Sequence, residues 1–136
     1  MSFVLDSSMT MAWCFADEAT PFTDGLLAGL RGGDAAAPAI WPLEVANVVL
    51  IAERRQRITQ AQAEAFTRLL HSLAITIDPI IAGSVWGAGM ALARRYQLSS
   101  YDAAYLELAL RLGLPLASLD QRLRGAATAA GVPLVG

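Results

Sequence analysis

The chain has 136 residues, 55% of them apolar, and its ten basic and twelve acidic residues give a formal net charge of −2. This length is typical of a single folded domain spanning residues 1–136, and the apolar fraction excludes a disordered chain. Because soluble domains are usually about 45–50% apolar, the surplus predicts a well-filled core and a partner-binding face. All ten basic residues are arginines, and the absence of lysine excludes the phosphate-loop NTPases, whose motif requires that residue.

Targeting and redox signals are also missing from the sequence. The first residues carry no basic region, and Asp6 interrupts their apolar run, so no secretory signal is expected. The longest uncharged run, residues 79–93, is shorter than the 18 or more residues of a membrane helix. A single cysteine, Cys14, cannot form an internal disulfide and lies between two aromatic residues, which favours a buried thiol. We therefore expect a cytoplasmic protein without a membrane segment.

The first half of the chain begins with a short apolar strand, FVLDSS, that ends at Asp6. Ser7 or Ser8 is the expected cap of the helix that follows it. A second helix is expected to end at the glycine pair Gly32 and Gly33, and Pro38 weakens the second strand. The predicted elements here are strand 3–6, helix 9–16, helix 21–33 and strand 35–40.

The second half again alternates helices with strands. A long helix begins at Pro42 and carries Glu44 in its first turn, and Thr59 caps the helix after it. The remaining predicted elements are helices 42–57 and 59–73, strand 74–78, helices 85–96 and 101–112, strand 114–120, helix 121–130 and strand 132–135. This alternation predicts an α/β architecture with a mainly parallel sheet.

Four carboxylates fall where ligands bind in such sheets. Asp6 and Asp120 follow strands, and Glu44 and Asp102 lie in the first turns of helices, positions that meet at the carboxyl edge of a parallel sheet. Each acid also has an ordinary explanation as a turn or capping residue; Ser99 and Asp102, for example, fit a capping pattern. Two like charges about 4 Å apart repel by roughly 4 kcal/mol at an effective dielectric near 20. Four converging carboxylates therefore require a cation.

The available side chains select the kind of cation and the kind of chemistry. Oxygen ligands favour Mg²⁺ or Mn²⁺ over Zn²⁺, since the only histidine, His71, falls in the middle of a helix and Cys14 is expected to be buried. With one histidine and a buried cysteine, no Cys/His or Ser/His/Asp nucleophile can be assembled. Metal-assisted hydrolysis, such as that of a phosphodiester, is the chemistry that remains.

Four segments in this order resemble the PIN-domain family, and most of all the VapC-type ribonuclease toxins of bacterial toxin–antitoxin pairs. They are LDSS at 5–8, PLEVANVV at 42–49, SSYDAAYLELA at 99–109 and LASLDQRL at 116–123. The resemblance implies a three-layer α/β/α sandwich that cleaves RNA with Mg²⁺ or Mn²⁺, forms a homodimer and is silenced by a cognate antitoxin protein. A non-catalytic PIN-fold interaction module is the alternative.

The family's acidic positions correspond to Asp6, Glu44, Asp102 and Asp120. Asp6 and Asp102 are the expected direct metal ligands, Glu44 binds through water or acts as a base, and Asp120 completes an outer or second-ion site. The small polar residues beside them are Ser7, Asn47 and Ser118.

Further contacts are expected outside the acids. Without the four proposed ligands, ten arginines face eight acids, so the rest of the surface can meet RNA. The candidate phosphate contacts are Arg54, Arg55, Arg57, Arg94 and Arg95, with a solvated helix end as the alternative for each cluster. Trp13, Trp41 and Trp86 are expected in the core or at a dimer contact more than on RNA bases. The candidate antitoxin groove is lined by Trp13, Phe15, Phe22 and Leu26.

Overall fold

Four short parallel strands form the centre of the fold. The computed structural model describes residues 2–136 and places the strands in the order β3-β2-β1-β4. In this sheet β1 pairs with both β2 and β4, so that Val4 lies opposite Ala36 and Leu116. The strands are β1 (Val4–Leu5), β2 (Ala35–Pro38), β3 (Ile75–Asp78) and β4 (Leu116–Ala117). The mainly parallel sheet predicted from the sequence is therefore confirmed.

Helices flank this sheet and give the α/β/α arrangement. They are α1 (Ser7–Met11), α2 (Pro21–Gly29), α3 (Trp41–Arg54), α4 (Gln60–Ser72), α5 (Ala82–Ser84), α6 (Met90–Tyr96), α7 (Ser100–Leu112) and α8 (Gln121–Ala129). All four residues of β2 are buried, as expected for a strand covered on both faces. Pro38 is tolerated because it is the last residue of its strand.

The start of the first helix corrects the sequence prediction. Asp6, rather than Ser7 or Ser8, is the cap of α1: its backbone is extended, and its carboxylate accepts the Met9 N–H at 2.9 Å. The strand expected to end at Asp6 therefore ends at Leu5, and the helix begins at Ser7 instead of Met9. This cap fixes the Asp6 side chain beyond the end of the central strand.

Several other predicted elements differ from the structure. Helix 9–16 already ends at Met11, helix 21–33 ends at Gly29, and strand 114–120 is reduced to Leu116–Ala117. Helix 85–96 begins earlier and contains a π-helical turn, Val85–Gly89, between α5 and α6. Gly89 belongs there because a Cβ on it would lie 3.3 Å from the Ser84 carbonyl oxygen. The expected strand 132–135 is reduced to a single bridge from Leu134 to Leu116. Among residues 2–136, no helix combines the length and apolar character needed to cross a membrane.

Candidate active site

Asp6 is a buried carboxylate at the carboxyl end of the central strand. It is 3% exposed and accepts bonds from the Met9 N–H at 2.9 Å, from the Ser8 hydroxyl at 2.8 and 2.9 Å, and from the Ser118 hydroxyl at 2.5 Å. Burial raises the pKa of Asp6 from its ordinary value of 3.8 to about 6, against the effect of these bonds, and the charge of Asp120 adds to the rise. An anion is therefore costly here unless a cation approaches.

The turn between β4 and α8 supplies the second carboxylate of this edge. Asp120 caps α8 through Oδ1, which accepts the N–H groups of Arg122 at 2.9 Å and Leu123 at 3.1 Å. Its own N–H donates to the Ser118 hydroxyl at 3.0 Å, and this hydroxyl in turn donates to Asp6. Ser118 thus ties the two acidic positions together, and within the described residues Asp120 Oδ2 is left without a hydrogen bond.

Glu44 lies in the first turn of α3, where Tyr105 from α7 holds it. The buried Tyr105 hydroxyl donates to Glu44 Oε1 at 2.5 Å. Burial raises the pKa of Glu44, the bond from Tyr105 opposes this, and the charge of Asp102 adds to it. The pKa of Tyr105 is also raised, by burial, by its bond to Glu44 and by the charges of Glu44 and Asp6, so the phenol remains a donor. Two elements that are distant in sequence are joined at this bond.

Asp102 lies in the first turn of α7, and its carboxylate is not needed for the helix cap. Ser99 is the cap, and its hydroxyl accepts the backbone N–H of Asp102 at 3.0 Å. A capping box would also have the Ser99 N–H donating to the Asp102 carboxylate, and among residues 2–136 this reciprocal bond is not formed. Burial and then the charge of Asp120 raise the pKa of Asp102, while Arg122 and the Ser99 hydroxyl oppose the rise.

The four acids lie along one edge of the sheet, where their charges repel one another. Asp120 acts on both Asp6 and Asp102, and Asp102 acts on Glu44. As placed, however, the side chains do not make a closed cage, because residues 2–136 contain no cluster of three or more His, Cys, Asp or Glu groups close enough to hold one ion. Oxygen-only donors, among them the three carboxyl groups of Asp6, Glu44 and Asp102 with raised pKa values, fit a hard divalent cation that keeps several waters, as Mg²⁺ does.

Two of the predicted polar neighbours, Ser7 and Ser118, contact residues of the site, whereas Asn47 is exposed. Ser118 bonds Asp6, and the Ser7 hydroxyl lies beside the Tyr105 phenol, where it opposes the rise in the phenol's pKa. Asn47 is exposed on α3, about one turn beyond Glu44. Ser8 and Tyr105 were missed as site residues. With Asp6 as the cap of α1, Ser8 would have been expected near its carboxylate. Tyr105 would have been expected on the same face of α7 as Asp102, because the two are three residues apart.

The predicted phosphate contacts lie at different distances from the acids. Arg54, Arg55 and Arg57 are ten or more residues beyond Glu44, which is about 15 Å along a helix. Arg57 also pairs with Asp17 at 2.8 Å and Glu18 at 3.0 Å, and its guanidinium lies 3.6 Å over the Phe15 ring. Arg94 and Arg95 are exposed at the end of α6, just before α7 begins.

Two arginines near the acids were not predicted. Arg122 in the first turn of α8 lowers the pKa of Asp102, and Arg124 Nη1 donates to the Ser118 carbonyl oxygen at 2.9 Å. Their position directly after LASLD was the available sequence signal, because residues that open a helix after a strand share the edge of the sheet with the strand end.

The proposed antitoxin groove is only partly open. Phe22 is 40% exposed, and Trp13 and Leu26 are partly buried, with the Trp13 indole donating to the Thr23 carbonyl oxygen at 2.8 Å. Phe15 is 4% exposed, so it lies in the core and does not line an open groove. Trp41 is buried as expected, whereas Trp86 is 71% exposed.

Comparisons with known proteins agree with this architecture. A family model described as PIN domain matches residues 3–129. PAE2754 from Pyrobaculum aerophilum is similar in structure, with 22% identity and a TM-score of 0.70 over 93% of this chain and 79% of that one. No curated protein matches the chain by sequence.

Two further solved structures share the fold over nearly their whole length. VapC20 from Mycobacterium tuberculosis, described as a sarcin-ricin loop cleaving toxin, has 18% identity and a TM-score of 0.67 over 99% of this chain and 98% of that one. FitAcB from Neisseria gonorrhoeae has 18% identity and a TM-score of 0.64 over 100% and 97%. At these identities the likeness concerns the fold.

Proposed function

The chain belongs to the PIN domain family, and we propose that it is a metal-dependent endoribonuclease and the toxin of a VapC-type toxin–antitoxin pair. The observation that carries this proposal is the sheet edge at which Asp6, Glu44, Asp102 and Asp120 repel one another while burial raises the pKa values of three of them. Evenly spread surface acids would not carry this cost, and a divalent cation relieves it.

The four acids have separate roles in this proposal. Asp6 and Asp102 hold Mg²⁺ or Mn²⁺ directly, Asp120 offers its free Oδ2, and Glu44 acts through water or as a base. When bound, the ion supplies an activated water and charge stabilisation at the phosphodiester. Ser8 and Ser118 orient the Asp6 oxygens, and Tyr105 orients Glu44, so two of the four carboxylates are already oriented in the absence of an ion.

RNA is the proposed substrate and an antitoxin the proposed protein partner. VapC20, which shares this fold, is described as a sarcin-ricin loop cleaving toxin, and this supports structured RNA as the substrate class. We place the antitoxin on the surface of α1 and α2 at Trp13, Phe22 and Leu26, with a basic side chain directed toward the acids. These contacts would silence the enzyme by covering one side of the site.

Chelation of the metal tests the proposed activity. The purified chain should cleave a structured RNA in Mg²⁺ or Mn²⁺ and lose this cleavage in excess EDTA. Asp120→Asn, purified in the same way, keeps a capping oxygen for α8 but removes the charge, and it should lose most of the activity. Cleavage that persists undiminished in EDTA, or that is equal in the variant, would reject the metal mechanism.

A further inference from the structure

A polar pocket adjoins the acidic edge on the side of α8. It has a volume of about 320 Å³ and is lined by Phe22, Leu119, Gln121 and Arg124 and by Val135 and Gly136, of which Gly136 lies against the tip of the Phe22 ring. Leu119 and Gln121 flank Asp120 in the chain, and consecutive Cα atoms are about 3.8 Å apart. One turn of backbone therefore forms both the wall of this pocket and part of the acidic site.

Hydrogen bonds fix this shared wall from both sides. The Leu119 N–H donates to the Ser8 hydroxyl at 2.9 Å, and Ser8 also bonds both oxygens of Asp6. Arg124 Nη1 donates to the Ser118 carbonyl oxygen at 2.9 Å. A ligand that occupied the pocket would therefore press on the turn that positions Asp6 and Asp120.

The chemistry of the lining matches a nucleotide. Phe22 presents a ring that is 40% exposed, and Gln121 offers an exposed amide that can both donate and accept. Arg124 uses one of its five N–H donors on Ser118, which leaves the others for a phosphate. Aromatic rings that stack on bases and arginines that contact the backbone are the usual means by which proteins hold single-stranded RNA.

The positive charges beside the pocket also suit a polyanion. The four acids repel a polyanion, whereas Arg122 and Arg124 place two positive charges on the first turns of α8, beside the acids. The arginines at the far end of α3 cannot offset this repulsion at the site, because they lie about 15 Å along the helix from Glu44.

We propose that this pocket holds the nucleotide next to the scissile phosphate, with Phe22 stacked on its base and Arg124 on its phosphate. The inference rests on the proposed ribonuclease function and identifies a substrate subsite for it. It makes α8 part of the substrate-binding surface as well as the support of Asp120.

Binding of a single-stranded RNA probe tests the subsite without catalysis. A fluorescein-labelled oligouridine is titrated against the chain in EDTA at several salt concentrations. Arg124→Gln should weaken binding and reduce the slope of log K against log salt by about 0.7, the value for one lost phosphate contact on a single strand. Phe22→Leu, which keeps an apolar side chain, should weaken binding about fivefold or more with an unchanged slope.

A charge-matched control and a kinetic readout complete this test. Arg68→Gln, at an exposed position on α4, removes the same charge away from the pocket and should bind like the parent. In Mn²⁺ the two pocket variants should raise KM more than they lower kcat. Should Arg124→Gln fail to fold because its bond to Ser118 is lost, Phe22→Leu carries the test.

The outcomes separate this proposal from the function on which it rests. If the pocket variants keep the parental affinity, salt slope and KM, the pocket is not a substrate subsite, even if the parent cleaves RNA. A protein partner would then be the remaining occupant of the pocket. A parent without Mn²⁺-dependent cleavage would reject the ribonuclease function, whereas the EDTA titration would still report whether the pocket binds RNA.

Discussion

Asp6 shows how a single residue serves both the fold and the site. Its Oδ1 accepts the Met9 N–H and so caps α1, while the Ser118 hydroxyl holds Oδ2 against β4. The sequence identified the residue correctly as a strand-end acid, but it did not reveal the cap. Asp6, Ser7 and Ser8 are all residue types that cap helices, and the sequence does not show the bond from Ser118, 112 positions away, that also holds Asp6 in place.

Asp6 should make the metal-free protein less stable as the pH rises. Its pKa is 3.8 in an ordinary environment and about 6 in the folded chain, so between these values the folded state holds the proton more tightly. This stabilisation is complete below about pH 4 and is lost above about pH 6, and the loss is on the order of 3 kcal/mol.

Denaturant unfolding in EDTA at several pH values measures this effect. The free energy of unfolding of the parent, minus that of Asp6→Asn, should fall across this interval. Asp24→Asn, at an exposed acid on α2, should follow the parent. A parent and an Asp6→Asn variant with the same pH dependence would show that Asp6 does not carry this cost.

At the scale of elements, α3 and α7 are joined at the site by one bond between Tyr105 and Glu44. Both helices were predicted within a few residues of their observed ends, because Pro42 and Ser99 mark their starts and Gly113 ends α7 in a left-handed conformation. Their contact could not be predicted, since 61 residues separate the two side chains. Helix periodicity gives the faces of a helix but not the partner that each face meets.

Tyr105→Phe should uncouple these helices without unfolding the chain, because phenylalanine fills the same buried volume. Glu44 would lose the bond that orients it, and loss of such an outer partner typically lowers metal affinity or activity about 10- to 100-fold. We expect a weaker Mn²⁺ midpoint in thermal titrations and slower RNA cleavage. Tyr96→Phe removes a hydroxyl from a partly buried tyrosine on α6 and should resemble the parent. A parental Mn²⁺ midpoint in Tyr105→Phe would show that Glu44 needs no support.

At the scale of the whole molecule, several of the exposed large apolar side chains fall in the segment from β3 to the π-helical turn. They are Ile77, Ile80, Ile81 and Trp86. The sequence indicated an apolar surplus but placed it on α1 and α2, because a tryptophan in a glycine-rich run resembles a core residue. The π-helical turn is the feature that the periodicity did not reveal, and this turn carries Trp86.

We expect this region to form the homodimer contact that the family resemblance implies. Trp86→Glu should place a charge in the contact and shift the chain toward monomer in sedimentation experiments, while its metal-free melting temperature stays within a few degrees of the parent's. Leu112→Glu, at an exposed apolar position at the end of α7, is the matched control and should leave the oligomer unchanged. A Trp86→Glu variant with the parental sedimentation behaviour would place the dimer contact elsewhere.

We propose that the four acids form a cation site at which RNA is cleaved, and thermal unfolding of Asp102→Asn with and without Mn²⁺ is the direct test of this site. The cap of α7 uses the Asp102 backbone N–H, so the substitution leaves the cap intact and removes repulsion from Asp120 and Glu44. The parent should melt at a higher temperature in Mn²⁺, because the bound ion raises the free energy of unfolding by about 2.7 kcal/mol at a hundredfold excess over Kd. Asp102→Asn should lose this response and nearly all RNA cleavage, and in EDTA it should be as stable as the parent or more so. A variant that keeps the Mn²⁺ response and cleaves at the parental rate would show that Asp102 holds no metal ion and would contradict the four-acid cation site.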